Sequence, residues 1–486
     1  MEKQSIQYDG LQLQPWLNQI GQSQTDLDYF EICSEYVAKY QDGHSIFLLP
    51  STFYATLGFT TDLYSGKVLI DSIDSTILDP TNFPFQVGDE IVSVDGKTAA
   101  YWITYFSQFR GIGNPATALR QAASAIPNRD QSAAPRAHEI ADTATVVVKS
   151  SSGTTTTYTV PWLKGGTPYI QAQSTPDPTV GQPTSRQPLA GRAAAGKPWM
   201  QFVRKLDNYR LPVKSDIVGF GLAKPVYALP DGFKVHTGLQ DFDAVFSGIF
   251  AAGNLNIGLL RIPTMDGTEF EVQAEISFLS SRTDALIVDV SRNPGGYGCT
   301  AEAIAQELIP SSFHSLQQQF RVTWSDILTL QLALSDAVVY GTQDDIDAIN
   351  QLLSVYQDAF AHKQRLTAGI PLCGSTSDLI PAMDPKTGKV IAYSKPILLL
   401  TDEFSASAAG LLAAILQDNQ RVLVYGARTA GAGGSVDSFS AGIYSETGVN
   451  LTRSLAIRNQ TIATLDYPTA LSSKESVFAR TKPPTI

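Results

Sequence analysis

The chain has 486 residues, which at about 100 to 200 residues per domain means a multidomain protein. Hydrophobic residues make up 43% and charged residues only 17%, so there is material for a sizeable core, which excludes a disordered or coiled-coil chain. Lys plus Arg number 35 against 46 for Asp plus Glu; the net charge of −11 gives no general attraction to nucleic acid or to anionic membranes.

The start, MEKQSIQYDG, lacks the basic-then-apolar pattern of a signal peptide, and no window approaches the roughly eighteen apolar residues of a membrane span. A soluble chain is expected. Low lysine content with many Ser, Thr, Gln and Asn also suits a secreted or periplasmic protein whose leader is absent, so the compartment stays open. Cys33, Cys299 and Cys373 are an odd set without a CxxC or Cys/His cluster, so neither a metal site nor a dense disulfide framework is indicated.

Leu27, Phe30, Cys33 and Val37 recur at helical spacing and predict an amphipathic helix over Thr25–Tyr40, stopped by Asp42-Gly43; residues 1–43 form an N-terminal helical segment. Extended, β-branched runs follow at Ile46–Leu49, Phe53–Thr61 and Lys67–Ile73, then a loop over 74–86. Val87–Lys97 reads as a strand running into an Asp95-Gly96 turn. A hairpin of Thr143–Ser150 and Thr154–Trp162, turning on Ser151-Ser152-Gly153, completes a β-rich module over 44–164. From 165 to 197 the chain is rich in Pro, Gly, Ser, Thr, Gln and Ala with no apolar periodicity, which predicts a linker and a domain boundary.

From 198 to 486 the pattern is α/β: strand Asn256–Arg261, helix Glu269–Ser280, strand Ala285–Val290, helix Thr300–Leu308, strand Pro396–Thr401, helix Ser407–Gln417 and strand Val422–Tyr425. A hydrophilic insertion at about 311–390 carries helical segments over Ser325–Ser335 and Gln343–His362. No internal repeat recurs at a fixed period, which argues against solenoids and propellers.

Three segments are candidates for chemistry. Asp402-Glu403-Phe404-Ser405-Ala406-Ser407-Ala408-Ala409-Gly410 takes a strand end through small residues into a helix, a turn that exposes a serine beside helix N-terminal amides; the plain alternative is a serine that only caps the helix. Ala285 to Gly296 is a buried strand followed by Asn293-Pro294-Gly295-Gly296, whose glycines can offer unhindered N–H groups to an oxyanion or simply make a tight turn. In Asp42-Gly43-His44 a histidine follows a helix stop; it is the best placed of five, although a lone histidine is more often structural.

These segments, with Leu259–Pro263, Gln417-Asp418-Asn419 and Gly426 to Gly434, resemble peptidase family S41, the tail-specific or C-terminal processing serine peptidases, and Gly88 to Lys97 is similar to that family's PDZ-like module. The resemblance implies a multidomain α/β plus β architecture: an N-terminal helical segment, a PDZ-like β-rich module and a catalytic α/β domain of the ClpP/crotonase type. It implies a polypeptide substrate and no cofactor, and leaves a homodimer open. Residue by residue, it puts the nucleophile on Ser407, while the lysine of the processing peptidases' dyad falls on Ala432. A second branch, resembling the tricorn core and the chlamydial protease-like activity factor, takes its base from an Asp-Gly-His-like segment, which His44 matches. That branch's acid falls on Ala463, with Asp466 three positions on as the candidate and Glu446 and Asp437 as weaker ones. The implied mechanism is attack by Ser407, proton transfer through His44 and an oxyanion held by Gly295 or Gly296 with Ala408. Ala432, Ala463 and Gly410, where processing peptidases have Glu, support the competing reading of a weak or inactive homologue that serves as a peptide-binding module.

Overall fold

The computed structural model describes residues 9–10, 12–49, 51–170, 217–240, 243–440 and 447–458. The predicted linker lies outside the described residues from 171 onward, and Glu446, Ala463 and Asp466 lie outside them altogether. The chain divides into two compact units: residues 1–186, 214–218 and 438–451, and residues 187–213, 219–437 and 452–486.

The first unit opens with helices α1 (Gln14–Ile20) and α2 (Asp26–Ala38). A capping box starts α2: the Thr25 hydroxyl accepts from the Asp28 amide, and the Asp28 carboxylate accepts from Thr25 N at 2.9 Å. Of the predicted face, Leu27, Phe30 and Val37 are buried and Cys33 is half-buried. Strand β1 (Ile46–Leu48) pairs antiparallel with residues 448–450.

The β-rich module follows as β2 (Tyr54–Thr56), β3 (Phe59–Tyr64), β4 (Lys67–Ile73), β5 (Glu90–Val94), β6 (Lys97–Thr98), α3 (Ala99–Ser107), α4 (Pro115–Ser124), β7 (Asn128–Asp130), β8 (Thr143–Lys149), β9 (Thr155–Pro161) and β10 (Leu163–Gly165). Its main sheet is antiparallel in the order β3-β4-β5-β8-β9, with β6 on β5; β10-β2-β7 form a smaller sheet. Asp95 and Gly96 both take positive φ, 52° and 72°, the turn that twists a two-residue hairpin correctly. Alternate strand residues, among them Ile70, Ile91, Val94, Val146 and Val160, meet in the core. The helices α3 and α4 have no counterpart in the sequence-based expectations.

The second unit contains β11 (Lys234–Thr237), β12 (Phe246–Ala252), β13 (Leu255–Arg261), α5 (Glu269–Ser280), β14 (Ala285–Asp289), α6 (Gly298–Leu308), β15 (Phe313–His314), β16 (Gln317–Phe320), α7 (Trp324–Tyr340), α8 (Gln343–Ala361), β17 (Ile370–Pro371), β18 (Asp378–Leu379), β19 (Ile397–Thr401), α9 (Ala408–Asp418) and β20 (Leu423–Gly426), then β21 (Val436–Ser440), β22 (Gly448–Thr452) and β23 (Ser454–Ile457), of which β21 and β22 straddle the division. One sheet, β11-β12-β13-β14-β19-β20, runs through it, antiparallel as far as β13 and parallel from β13 to β20. Its apolar strands read as near-continuous runs because helices cover them: Leu286, Val288 and Leu399 share a core with Ile276 of α5, Ile304 of α6 and Leu412 of α9. The carboxyl ends of β13, β14 and β19 converge, which is where open α/β sheets carry their functional loops.

The insertion has its own small core, with Ile327, Leu330 and Ala337 of α7 against Ile349, Leu353 and Tyr356 of α8. It is tied back by β16, paired with β23, and by a disulfide from Cys373 to Cys299 in the first turn of α6. Among the described residues no helix is long and apolar enough to cross a membrane.

Candidate active site

β19 ends at Thr401, and residues 402–407 turn the chain into α9. The two serines of this turn divide the work. Ser405 is fully buried and its hydroxyl donates to the Val290 carbonyl at 2.8 Å, so it belongs to the scaffold. Ser407 makes no side-chain cap bond, and its hydroxyl has no hydrogen bond among the described residues. Its backbone sits at φ 51°, ψ −122°, a conformation that costs a non-glycine residue about 1 to 3 kcal/mol and needs its surroundings to hold it. The surroundings do hold it: Ser407 N donates to Gly431 O at 2.6 Å, and Ala406 N to Asn293 O at 2.9 Å. The helix-cap alternative is therefore not realised at Ser407.

The Asn293–Gly296 turn lies against this serine. A Cβ added to Gly295 would come within 2.5 Å of Ser407 Cβ and 3.0 Å of Ala408 N, so only glycine permits the approach, and its φ of 100° excludes other residues independently. Gly296, at φ 145°, is pressed on the Met265 backbone. Asn293, fully buried, ties the turn together: its Nδ2 donates to Ile262 O at 2.9 Å, and its Oδ1 accepts from Gly295 N at 2.7 Å. The Gly295 N–H is thus engaged, whereas those of Gly296 and Ala408 make no hydrogen bond among the described residues. Of the three expected oxyanion donors, Gly296 and Ala408 have N–H groups to offer.

Behind the turn sits a buried ion pair that the sequence reading missed. Arg261 and Asp289, both with fully buried side chains, meet at 2.9 Å. Asp289 also accepts from Tyr227 Oη at 2.8 Å and from the Ser291 amide at 2.8 Å. Arg261 donates to the carbonyls of Ser291, Leu222 and Gly219. Burial and the Asp289 charge together hold the Tyr227 phenol far above its ordinary pKa, so it stays a donor. Asp402 Oδ1 completes the frame by accepting from the amides of Arg292 at 2.8 Å and Phe404 at 3.1 Å. The signal was available: a charge at the end of the apolar run Ala285–Asp289 must find a partner.

His44 belongs to the first unit and is fully buried just before β1. Its N–H donates to Asp42 Oδ1 at 3.0 Å, and Ser45 N to Asp42 O at 3.0 Å, so the Asp-Gly-His segment is a tight turn closed by its own aspartate. Ala432, in the slot of the dyad lysine, has positive φ (62°) one residue after the carbonyl that holds Ser407 N.

A parallel-stranded α/β sheet that places a serine on a strained strand-to-helix turn, beside two glycines, has the layout of a serine hydrolase. The chain matches peptidase family S41 over residues 256–463 and a PDZ domain over residues 53–177. It is 33% identical over 238 residues to an uncharacterised protein of Chlamydia muridarum, a match covering 42% of this chain and 38% of that protein. A Chlamydia trachomatis protein is 32% identical over 237 residues, covering 42% and 38%. The chain thus spans well under half the length of these curated relatives. Among solved structures, mature CPAF complexed with lactacystin shares the fold at a TM-score of 0.68 and 21% identity, covering 94% of this chain and 86% of that one. Mature CPAF in a further crystal structure gives 0.66 and 22%, covering 94% and 85%.

Proposed function

We propose that this protein is a serine endopeptidase that hydrolyses extended polypeptides through an acyl-enzyme on Ser407. The observation that carries the reading is the strained backbone of Ser407, which no side-chain bond of that serine among the described residues explains. Ser407 Oγ attacks the scissile carbonyl, His44 takes the proton and returns it to the leaving amine, and the N–H groups of Gly296 and Ala408 receive the oxyanion. Asp466 is the proposed carboxylate that orients His44. Water then cleaves the ester, with the proton passing through His44 again. The dyad alternative lacks its lysine, since Ala432 has no basic group.

The experiment is labelling of the full chain with a fluorophosphonate probe, comparing wild type with Ser407→Ala and His44→Ala. Labelling that disappears in both supports the reading. Folded wild type that stays unlabelled defeats it and favours the inactive, peptide-binding homologue that Ala463 and Gly410 suggest.

A further inference from the structure

Strand β3 is the outer strand of the PDZ sheet: β4 pairs with one of its edges, and the other edge faces α4. An edge strand beside a helix is the surface on which an extended peptide adds itself as a further strand, because it offers unpaired N–H and C=O groups. Here that edge is already occupied by the module's own side chains. The Asp62 carboxylate accepts from the amide of Leu63 at 2.7 Å, and so takes up an edge donor that an incoming strand needs. The same carboxylate receives Arg120 of α4 in a two-point bond, Nε to Oδ1 at 2.9 Å and Nη2 to Oδ2 at 2.5 Å. One residue earlier, the Thr61 hydroxyl donates to the Ala123 carbonyl of α4 at 2.8 Å. Thr61 and Asp62 are each only 1% exposed, although they stand on an edge strand.

We propose that the Asp62–Arg120 pair is a latch that holds α4 down on β3, so that the PDZ module of this protein does not accept a peptide strand while the pair is made. The physical reason is geometric as much as electrostatic. A planar guanidinium matched to a carboxylate fixes both distance and angle, which a single lysine contact would not do. Because the pair is shielded from water, neither group is readily exchanged for solvent. An arriving peptide has to displace Arg120, the Thr61 bond and the capped Leu63 amide together before it forms its first ladder bond. The inference does not depend on whether Ser407 is active.

The test uses the full chain carrying Ser407→Ala, so that no probe is consumed, and a fluorescein-labelled pool of random decapeptides with free C termini. Fluorescence anisotropy reads binding, and hydrogen exchange reads residues 59–64 and 115–124. With the latch intact, the pool at micromolar concentration produces no added protection in either segment. Asp62→Ala and Arg120→Ala are expected to speed exchange of both segments at least tenfold and to tighten pool binding at least tenfold. The charge-swapped double variant Asp62→Arg with Arg120→Asp should return both readouts toward the parent, which separates a lost latch from a lost fold. Protection of 59–64 by the pool in the parent chain overturns the proposal, as do single variants whose segments exchange no faster than the parent.

Discussion

Arg261 and Arg129, buried in different units, show how differently the same charge is kept out of water. In the peptidase unit every guanidinium nitrogen of Arg261 has an acceptor, drawn from the Asp289 carboxylate, the Ser291 hydroxyl and three carbonyls. In the PDZ unit Arg129 lies over the rings of Trp102 at 4.3 Å, Trp162 at 4.9 Å and Phe106 at 5.7 Å, and its Nε and Nη2 find no acceptor among the described residues. Ring faces attract a cation without fixing its orientation, whereas aimed carbonyls and a carboxylate do. The directional arrangement stands behind the Ser407 turn, where tenths of an ångström matter. The loose one fills a module core, and its cost shows in the Arg129 pKa, which burial pulls down to about 10.

That contrast can be broken or sharpened experimentally. The largest effect is expected at the turn itself: Gly295→Ala pushes a methyl group into Ser407 and should lower the probe-labelling rate by about a hundredfold or more, while circular dichroism still reports a folded chain. Next, Arg261→Met strands the buried Asp289 charge, and urea unfolding should show a loss of about 3 to 5 kcal/mol together with slower labelling. Equal stability of Arg261→Met and wild type would remove the distinction between the two arginines. Replacing Cys299 and Cys373 by serine opens a bond between residues 74 apart, and should cost about 2 to 4 kcal/mol in the same unfolding experiment. The smallest change is expected for Arg129→Met, where relief from desolvation offsets the lost ring contacts and stability stays within about 1 kcal/mol.

Local pattern was enough for much of the fold. Glu269–Ser280 and Lys67–Ile73 were readable to the residue because their apolar positions follow one period and their ends carry stop signals. The Asp95-Gly96 turn was readable because few residue pairs tolerate positive φ twice in succession. The helices α3 and α4 were not: Ala99–Ser107 is apolar on too many sides to reveal a face, and α4 matters chiefly through Arg120, whose partner Asp62 lies in a distant strand. At the candidate site, the serine turn and the diglycine turn could be named from their residues.

The chain by itself therefore determined those elements whose apolar period is regular, which turns need glycine and which family's motifs it carries, since these are properties of short stretches. Only the tertiary structure decided that Ser405 is scaffold and Ser407 is not, because the carbonyls that separate them, Val290 and Gly431, come from other strands and loops. It likewise decided that Asn293 consumes the Gly295 amide, that Cys299 finds Cys373, and that Asp62 closes the edge of its own sheet. Each of these outcomes depends on where a second, distant group arrives, and periodicity along one segment holds no record of that.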